Sequence, residues 1–169
     1  MNANLIIQKL QVNKVVFKSL LENSTPDCYS FRTNEVSWCL LEVICHLFDE
    51  EVEDFRARIS SILTNPQLPL KPISPERWPD ERNYMEQDFD TMLKAFLTER
   101  EQSIAWLLSL EDPNWERVVD HPEVESRSAK KFLVNWLAHD YHHIRQINAI
   151  HHAYLKHSSG DDLTYAGKW

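Results

Sequence analysis

The sequence predicts an all-α protein built as a four-helix bundle, and three observations carry that expectation. Apolar residues recur with a helical rather than an alternating period over four long segments. Glycine is almost absent: there are two in 169 residues, Gly160 and Gly167, whereas the tight turns and bulges of β proteins consume glycine. Five of the eight prolines fall between Pro66 and Pro79, where helix is interrupted. With 43% apolar and 26% charged residues the composition is globular, and the expectation is one domain over residues 1–169.

The first helix is expected over about residues 3–22. Leu5, Ile6, Leu10, Val15, Val16, Phe17, Leu20 and Leu21 form its apolar stripe, and Asn23, Ser24, Pro26 and Asp27 end it. The second, over about 36–63, opens near Asn34 to Ser37, whose side chains can cap free amides. On it, Glu42, Glu50 and Glu53 read as a solvated face, and Cys39 and Cys45 as small packing groups. Pro66, Pro69, Pro72, Pro75 and Pro79 then exclude helix. The third, over about 83–110, opens at Asn83 with Glu86 three residues on, and Asp112, Pro113 and Asn114 break it. A loop holding Trp115, His121 and Pro122 leads to the fourth, over about 127–158, which stops at Ser158 to Gly160. Such helices span about 30–45 Å. The linker from Thr64 to Arg82 has nineteen residues and, extended at roughly 3 Å per residue, can cross that length. A crossover between parallel helices and a loop folded over one end both satisfy the spacing.

Composition excludes several functions. Phosphate-cradling loops and dinucleotide fingerprints need glycines in their turns, so P-loop, Rossmann and α/β-hydrolase enzymes are ruled out. A net charge of −8 and a pI near 5.4 argue against a nucleic-acid surface. Cys28, Cys39 and Cys45 are odd in number and lack CxxC spacing, which reads as reduced thiols. The first residues lack the pattern of a signal peptide and no stretch is apolar enough to span a membrane, so a cytoplasmic chain is expected.

Six of the eight histidines lie between His139 and His157. His139 and His143 are four apart, which stacks both imidazoles on one helix face about 6 Å apart. Trp136 and Gln146 share nearly that face. His46 sits mid-helix between apolar neighbours, where histidine has no packing advantage. Three such histidines make a facial ligand set with positions left open. The spacing is equally that of a chance pair in a histidine-rich segment. His142, His151, His152 and His157 read as solvated, and His121 as structural or exposed. Glu50, one turn from His46, and Asp140 are candidate proton acceptors, with solvated or orienting roles as alternatives. Di-iron templates do not fit: the first helix has no histidine, and ExxH does not occur.

The stretch WLAHDYHHIRQI (Trp136 to Ile147), with SWCLLEVICHLFDEE (Ser37 to Glu51) ahead of it and the ending DLTYAGKW, resembles the DinB/YfiT-like superfamily of metalloenzymes. The likeness spans almost the whole chain. It implies a bundle of up-down-down-up topology, which makes the proline-rich linker the crossover. It also implies His46, His139 and His143 as ligands of one divalent ion, nickel or zinc foremost, with iron or manganese as alternatives. Members are often homodimers. Characterised relatives include S-transferases using low-molecular-weight thiols, and some hydrolases or isomerases. The expectation is therefore a metal-dependent thiol S-transferase acting on a small molecule, with Glu50 and Asp140 as candidate catalytic carboxylates. A metal-dependent hydrolase and a non-catalytic metal-binding or dimerising bundle are the alternatives.

Overall fold

The computed structural model describes residues 2–119 and 127–167. Helix α1 (Ala3–Leu21) is followed by a single turn, α2 (Pro26–Tyr29). Helix α3 (Leu40–Glu50) continues through a π-turn at Glu51–Phe55 into α4 (Arg56–Thr64). The linker carries one turn, α5 (Trp78–Glu81), and α6 (Phe89–Ser109) and α7 (Ala129–Ser159) complete the bundle. A two-residue antiparallel ladder, β1 (Val118–Val119) with β2 (Arg127–Ser128), precedes α7.

Cross-helix contacts give the directions. Asn13 meets Asp140 and Leu20 meets His151, so α1 and α7 are parallel. Lys14 pairs with Glu101 while Phe17 packs on Phe96, so α1 and α6 are antiparallel. His46 faces His139 and Phe55 faces Trp136, so α3–α4 opposes α7. Cys39 to Leu47 share one apolar cluster with Phe89 to Phe96, and Phe55 to Ile62 share another with Leu107. Helices α3–α4 and α6 are therefore parallel, the topology is up-down-down-up, and the linker is the crossover.

Several boundaries differ from expectation for local reasons. Asn34 Oδ1 accepts from the Val36 and Ser37 amides at 3.0 and 2.9 Å, closing a turn on itself rather than capping a helix. The cap falls on Cys39, whose amide donates to Glu42 Oε2 at 2.9 Å. Asn83 adopts a left-handed conformation with φ 48°, and α6 is capped instead by Asp88, which accepts from the Thr91 amide at 2.8 Å. Pro79 lies in the first turn of α5, where its missing N–H has no helical partner to lose. On α1, Leu5, Val12 and Val15 are exposed, and the buried face is Ile6, Ile7, Leu10, Asn13, Phe17 and Leu21.

The carboxylates of α3 do not form a solvated face. Glu42 and Glu50 are buried, Glu42 pairs with Arg32, and Glu53 pairs with Arg82 and Lys71. The crossover packs over this surface: Arg82 meets Asp49 at 2.7 Å, and the Tyr84 hydroxyl donates to Asp49 Oδ2 at 2.5 Å. Cys39 and Cys45 are fully buried packing groups, as expected.

The core is split by a polar level to which each helix contributes. Ile6, Ile7 and Leu10 lie in one apolar cluster, Phe17 and Leu21 in the other, with Asn13 between them. Glu51 holds the same position on the second helix, Arg100 and Ser103 on α6, and Asp140 on α7. Arg100 donates from Nη1 and Nη2 to Asp140 at 2.8 Å each, and from Nε to Glu51 Oε1 at 2.9 Å. Asn13 Nδ2 donates to Asp140 Oδ2 at 3.0 Å, and Trp136 Nε1 to Glu51 Oε2 at 3.2 Å. Every charge in this buried layer is thus hydrogen-bonded, the condition under which buried ions are tolerated.

The π-turn bears on what faces α7. In a regular α-helix Phe55, nine residues after His46, would emerge about 180° away from it, at about 100° per residue. One extra residue in the turn reduces that to about 80°. Phe55 consequently stacks on Trp136 at 5.6 Å, with its ring 5.2 Å from that of His139.

Candidate metal centre

Three histidines converge where α3 crosses α7. His46 Nε2 lies 3.2 Å from His139 Nε2, and His143 Nε2 lies 3.0 Å from the same atom. Among the described residues this is the His, Cys, Asp and Glu group that could hold a metal ion, with its donor atoms all within 4.8 Å of one another. His46 and His143 are buried and His139 is half-buried.

The donor set fits a cation. His143 Nδ1 is 2.8 Å from Gln146 Oε1; with an oxygen acceptor there, Nδ1 carries the proton and Nε2 presents its lone pair. His46 Nδ1 is buried without a hydrogen-bond partner, so the ring's polar contact is made through Nε2. Nitrogen ligands at about 2.0–2.1 Å stand about 3.0 Å apart for right-angle coordination and about 3.4 Å for tetrahedral. The observed 3.0 and 3.2 Å fall in that interval. Burial lowers the ring pKa values to about 3 for His46, about 2 for His139 and about 4 for His143; repulsion from neighbouring histidines adds to it for His46 and His139, whereas at His143 the Gln146 hydrogen bond opposes it and His142 adds to it. All three are neutral at pH 7, the form that ligates.

Aromatic side chains wall the triad. Trp38 is 5.0 Å and Trp78 6.3 Å from the His46 ring, Phe55 is 5.2 Å from His139, and His142 stands edge-on to His143 at 5.0 Å. Arg82 lies over Trp78 at 4.3 Å, which ties the crossover to this wall.

The two candidate carboxylates are engaged elsewhere. Asp140 is fully buried and accepts from Arg100 and Asn13 in the polar level. Glu50 has its pKa raised to about 9, first by burial and then by Asp54, to which it hydrogen-bonds. It is a neutral acid at pH 7, and Asp54 is in turn paired with Arg58. Among the other histidines, His151 is not simply solvated: Nε2 donates to the Leu20 carbonyl at 2.8 Å, and Nδ1 lies 3.6 Å from Cys28 Sγ. His157 packs on Phe31 at 5.2 Å. His142 is exposed, and His121 lies outside the described residues.

Sequence reasoning missed the ionic layer. A signal was present: Arg100 interrupts the apolar stripe Leu93, Phe96, Ile104 and Leu107 at helical spacing, as Asp140 does between Leu137 and Ile147. A charge at such a position needs a partner across the core.

Residues 10–147 match the family model of the DinB superfamily. No curated protein matches the chain. Among solved structures, YfiT from Bacillus subtilis superposes with a TM-score of 0.78 at 20% identity, covering 95% of this chain and 89% of that one. That protein is described as a probable metal-dependent hydrolase with an unusual four-helix bundle topology. At this identity the likeness shows a shared fold.

Proposed function

The chain belongs to the DinB superfamily, and from that premise we propose that it is a mononuclear metal enzyme that transfers a low-molecular-weight thiol to an electrophilic small molecule. The observation that carries the reading is the convergence of three neutral Nε2 atoms on one point. His46, His139 and His143 would hold the ion, nickel or zinc foremost and iron or manganese otherwise. An ion bound by three neutral ligands keeps its full double charge and lowers the pKa of a thiol or water placed on it.

The chain's own groups fit this role. The nearby ionic layer sets one arginine against two carboxylates, a formal −1 that complements a cation beside it. Asp140 and Arg100 act in this reading as positioning groups, anchoring α7 at the residue after His139. Thiol transfer is preferred over hydrolysis because of the carboxylates. Water is a weak acid whose activation gains from a nearby base, and here Glu50 is engaged with Asp54 while Asp140 is locked to Arg100. A thiol ionises far more readily. In the transfer, the S–H proton is lost to solvent, a carbon–sulfur bond forms, and the electrophile's leaving group departs. Hydrolysis is the second reading, favoured by the description of YfiT. The family resemblance also supports a cytoplasmic homodimer, with Val12 and Val15 on the outer face of α1 as apolar surface for such a contact.

Elemental analysis of the purified protein beside His46→Ala tests the centre, followed by thiol consumption assays with a chloroaromatic electrophile. One equivalent of divalent metal, lost in the variant, together with metal-dependent thiol consumption is expected. A protein that cannot be loaded would overturn the reading, and metal-dependent ester hydrolysis without thiol consumption would replace it with the second.

A further inference from the structure

We propose that Gln146 is a positioning residue of the metal centre: by accepting from His143 it holds that ring in the ligating tautomer and makes it the anchoring member of the triad. The inference rests on the metal reading above and gives a role at the same site to a side chain that need not touch the ion.

A neutral imidazole offers its Nε2 lone pair to an ion only when its proton sits on Nδ1. A ring with no partner on Nδ1 is free to place the proton on either nitrogen, and part of its population is then unready to ligate. The three rings differ in this respect. His143 Nδ1 stands 2.8 Å from Gln146 Oε1. His46 Nδ1 is buried without a hydrogen-bond partner, and that ring packs instead against Trp38 at 5.0 Å and Trp78 at 6.3 Å. His139 makes its polar contacts with other described side chains through Nε2. Packing against an aromatic wall fixes where a ring lies but not which nitrogen is protonated; an oxygen acceptor fixes both.

Helix geometry supplies the contact. Gln146 follows His143 by three residues on α7, which puts both on one face, and helical side chains lean toward the N-terminus, bringing the Gln146 amide back over His143. The pairing is therefore local to α7 and independent of how α3 crosses it. His46 arrives from that crossing and completes a site whose α7 side is already oriented. Gln146 is half-buried, and its amide makes no other side-chain hydrogen bond among the described residues, so nothing competes for the acceptor. The acceptor is also uncharged: an amide orients the ring without adding negative charge, and an ion held there keeps the double charge on which thiol activation depends.

The test uses the full chain and cobalt(II) alone, with dissociation constants taken from competition with a chelator and the cobalt absorption bands reporting the ligand set. Gln146→Met keeps an unbranched side chain and removes the oxygen acceptor. It should weaken cobalt binding by about 10–100-fold, the range for losing such a partner, and leave the unfolding midpoint of the metal-free chain unchanged. Gln146→Glu restores an acceptor and should bind at least as tightly as wild type. A second arm needs no metal. In the EDTA-treated chain, long-range proton–nitrogen NMR correlations of the His143 ring, assigned by their absence from His143→Ala, should place the proton on Nδ1 in wild type and move it toward Nε2 in Gln146→Met. Wild-type affinity in Gln146→Met, a deficit that Gln146→Glu shares, or a His143 proton found on Nε2 in wild type would each overturn the positioning role. Failure of the wild type to take up cobalt would overturn the metal reading instead. The wild-type tautomer decides the role of Gln146 in either case, and does so even where a variant misfolds.

Discussion

Replacing Arg100 by methionine isolates the ionic layer. The substitution keeps a long side chain but deletes three charge-assisted hydrogen bonds of 2.8–2.9 Å. Glu51 and Asp140, at 1% and 0% exposure, then have no cation beside them. Breaking one side of a buried ion pair costs about 3–5 kcal/mol. In a chain of this size, about 2–4 °C per kcal/mol converts that to roughly 6–20 °C in unfolding midpoint. The pH dependence carries a sign. Burial raises the Glu51 pKa and Arg100 is the main group pulling it down. Without Arg100 the folded value moves further above the unfolded value of about 4.3. A raised folded value stabilises below the unfolded pKa, and that contribution is lost as pH rises through the folded one. The deficit should therefore be larger at pH 8 than at pH 5. Urea unfolding followed by tryptophan fluorescence, with EDTA present, measures both. A deficit under about 1 kcal/mol, or one equal at the two pH values, would refute the account of the layer as a mutually dependent set of charges.

Three further outcomes are expected. Adding the ion at about a thousand times its dissociation constant should stabilise the wild-type chain by about 4 kcal/mol and His46→Ala far less; equal thermal shifts in both would contradict ligation by His46. In the metal-free chain, the folded pKa values of about 3, 2 and 4 for His46, His139 and His143 lie below the unfolded value of about 6.5. Stability should be full above that pH and fall as pH drops toward 4, by up to about 1.4 kcal/mol per unit per ring. Urea midpoints between pH 7.5 and 5 would show this, and a flat profile would count against it. Gly160 closes α7 at φ +70° with open space where a Cβ would sit, so Gly160→Ala should cost only the left-handed penalty of about 1 kcal/mol; a loss above about 3 kcal/mol in thermal unfolding would reveal an unseen contact.

How far the sequence speaks depends on whether the relevant contact is local. The helices α1 and α7 follow from apolar period within a few residues, and the stop expected at Ser158 to Gly160 falls where Gly160 closes the last helix. The pairing of His139 with His143 is likewise local. What joins His46 to them is the antiparallel crossing of α3 on α7, which no spacing within either helix encodes. The carboxylates of α3 read as solvent-facing because period alone cannot reveal that a distant linker, through Trp78, Arg82 and Tyr84, will cover them. Asn83 shows the opposite failure: a plausible local capping pattern loses to a left-handed turn set by the chain's route into α6. The Arg100 layer was visible only as anomalies, single charges in apolar stripes, each intelligible once the other three helices are in place.

The π-turn at Glu51–Phe55 is an insertion that the helix has absorbed without breaking. A shortened version of this chain, lacking Val52, would wind as a regular α-helix and keep both halves facing as they do, because eight residues at about 100° each leave the same separation of about 80° between His46 and Phe55. His46 would stay on α7, and Phe55, Ile59 and Ile62 would stay in the core. It is the local widening of the turn, rather than the residue count, that holds the two halves in register. Among relatives, a one-residue gap in this interval should coincide with a regular helix and an unchanged aromatic neighbour for the second histidine.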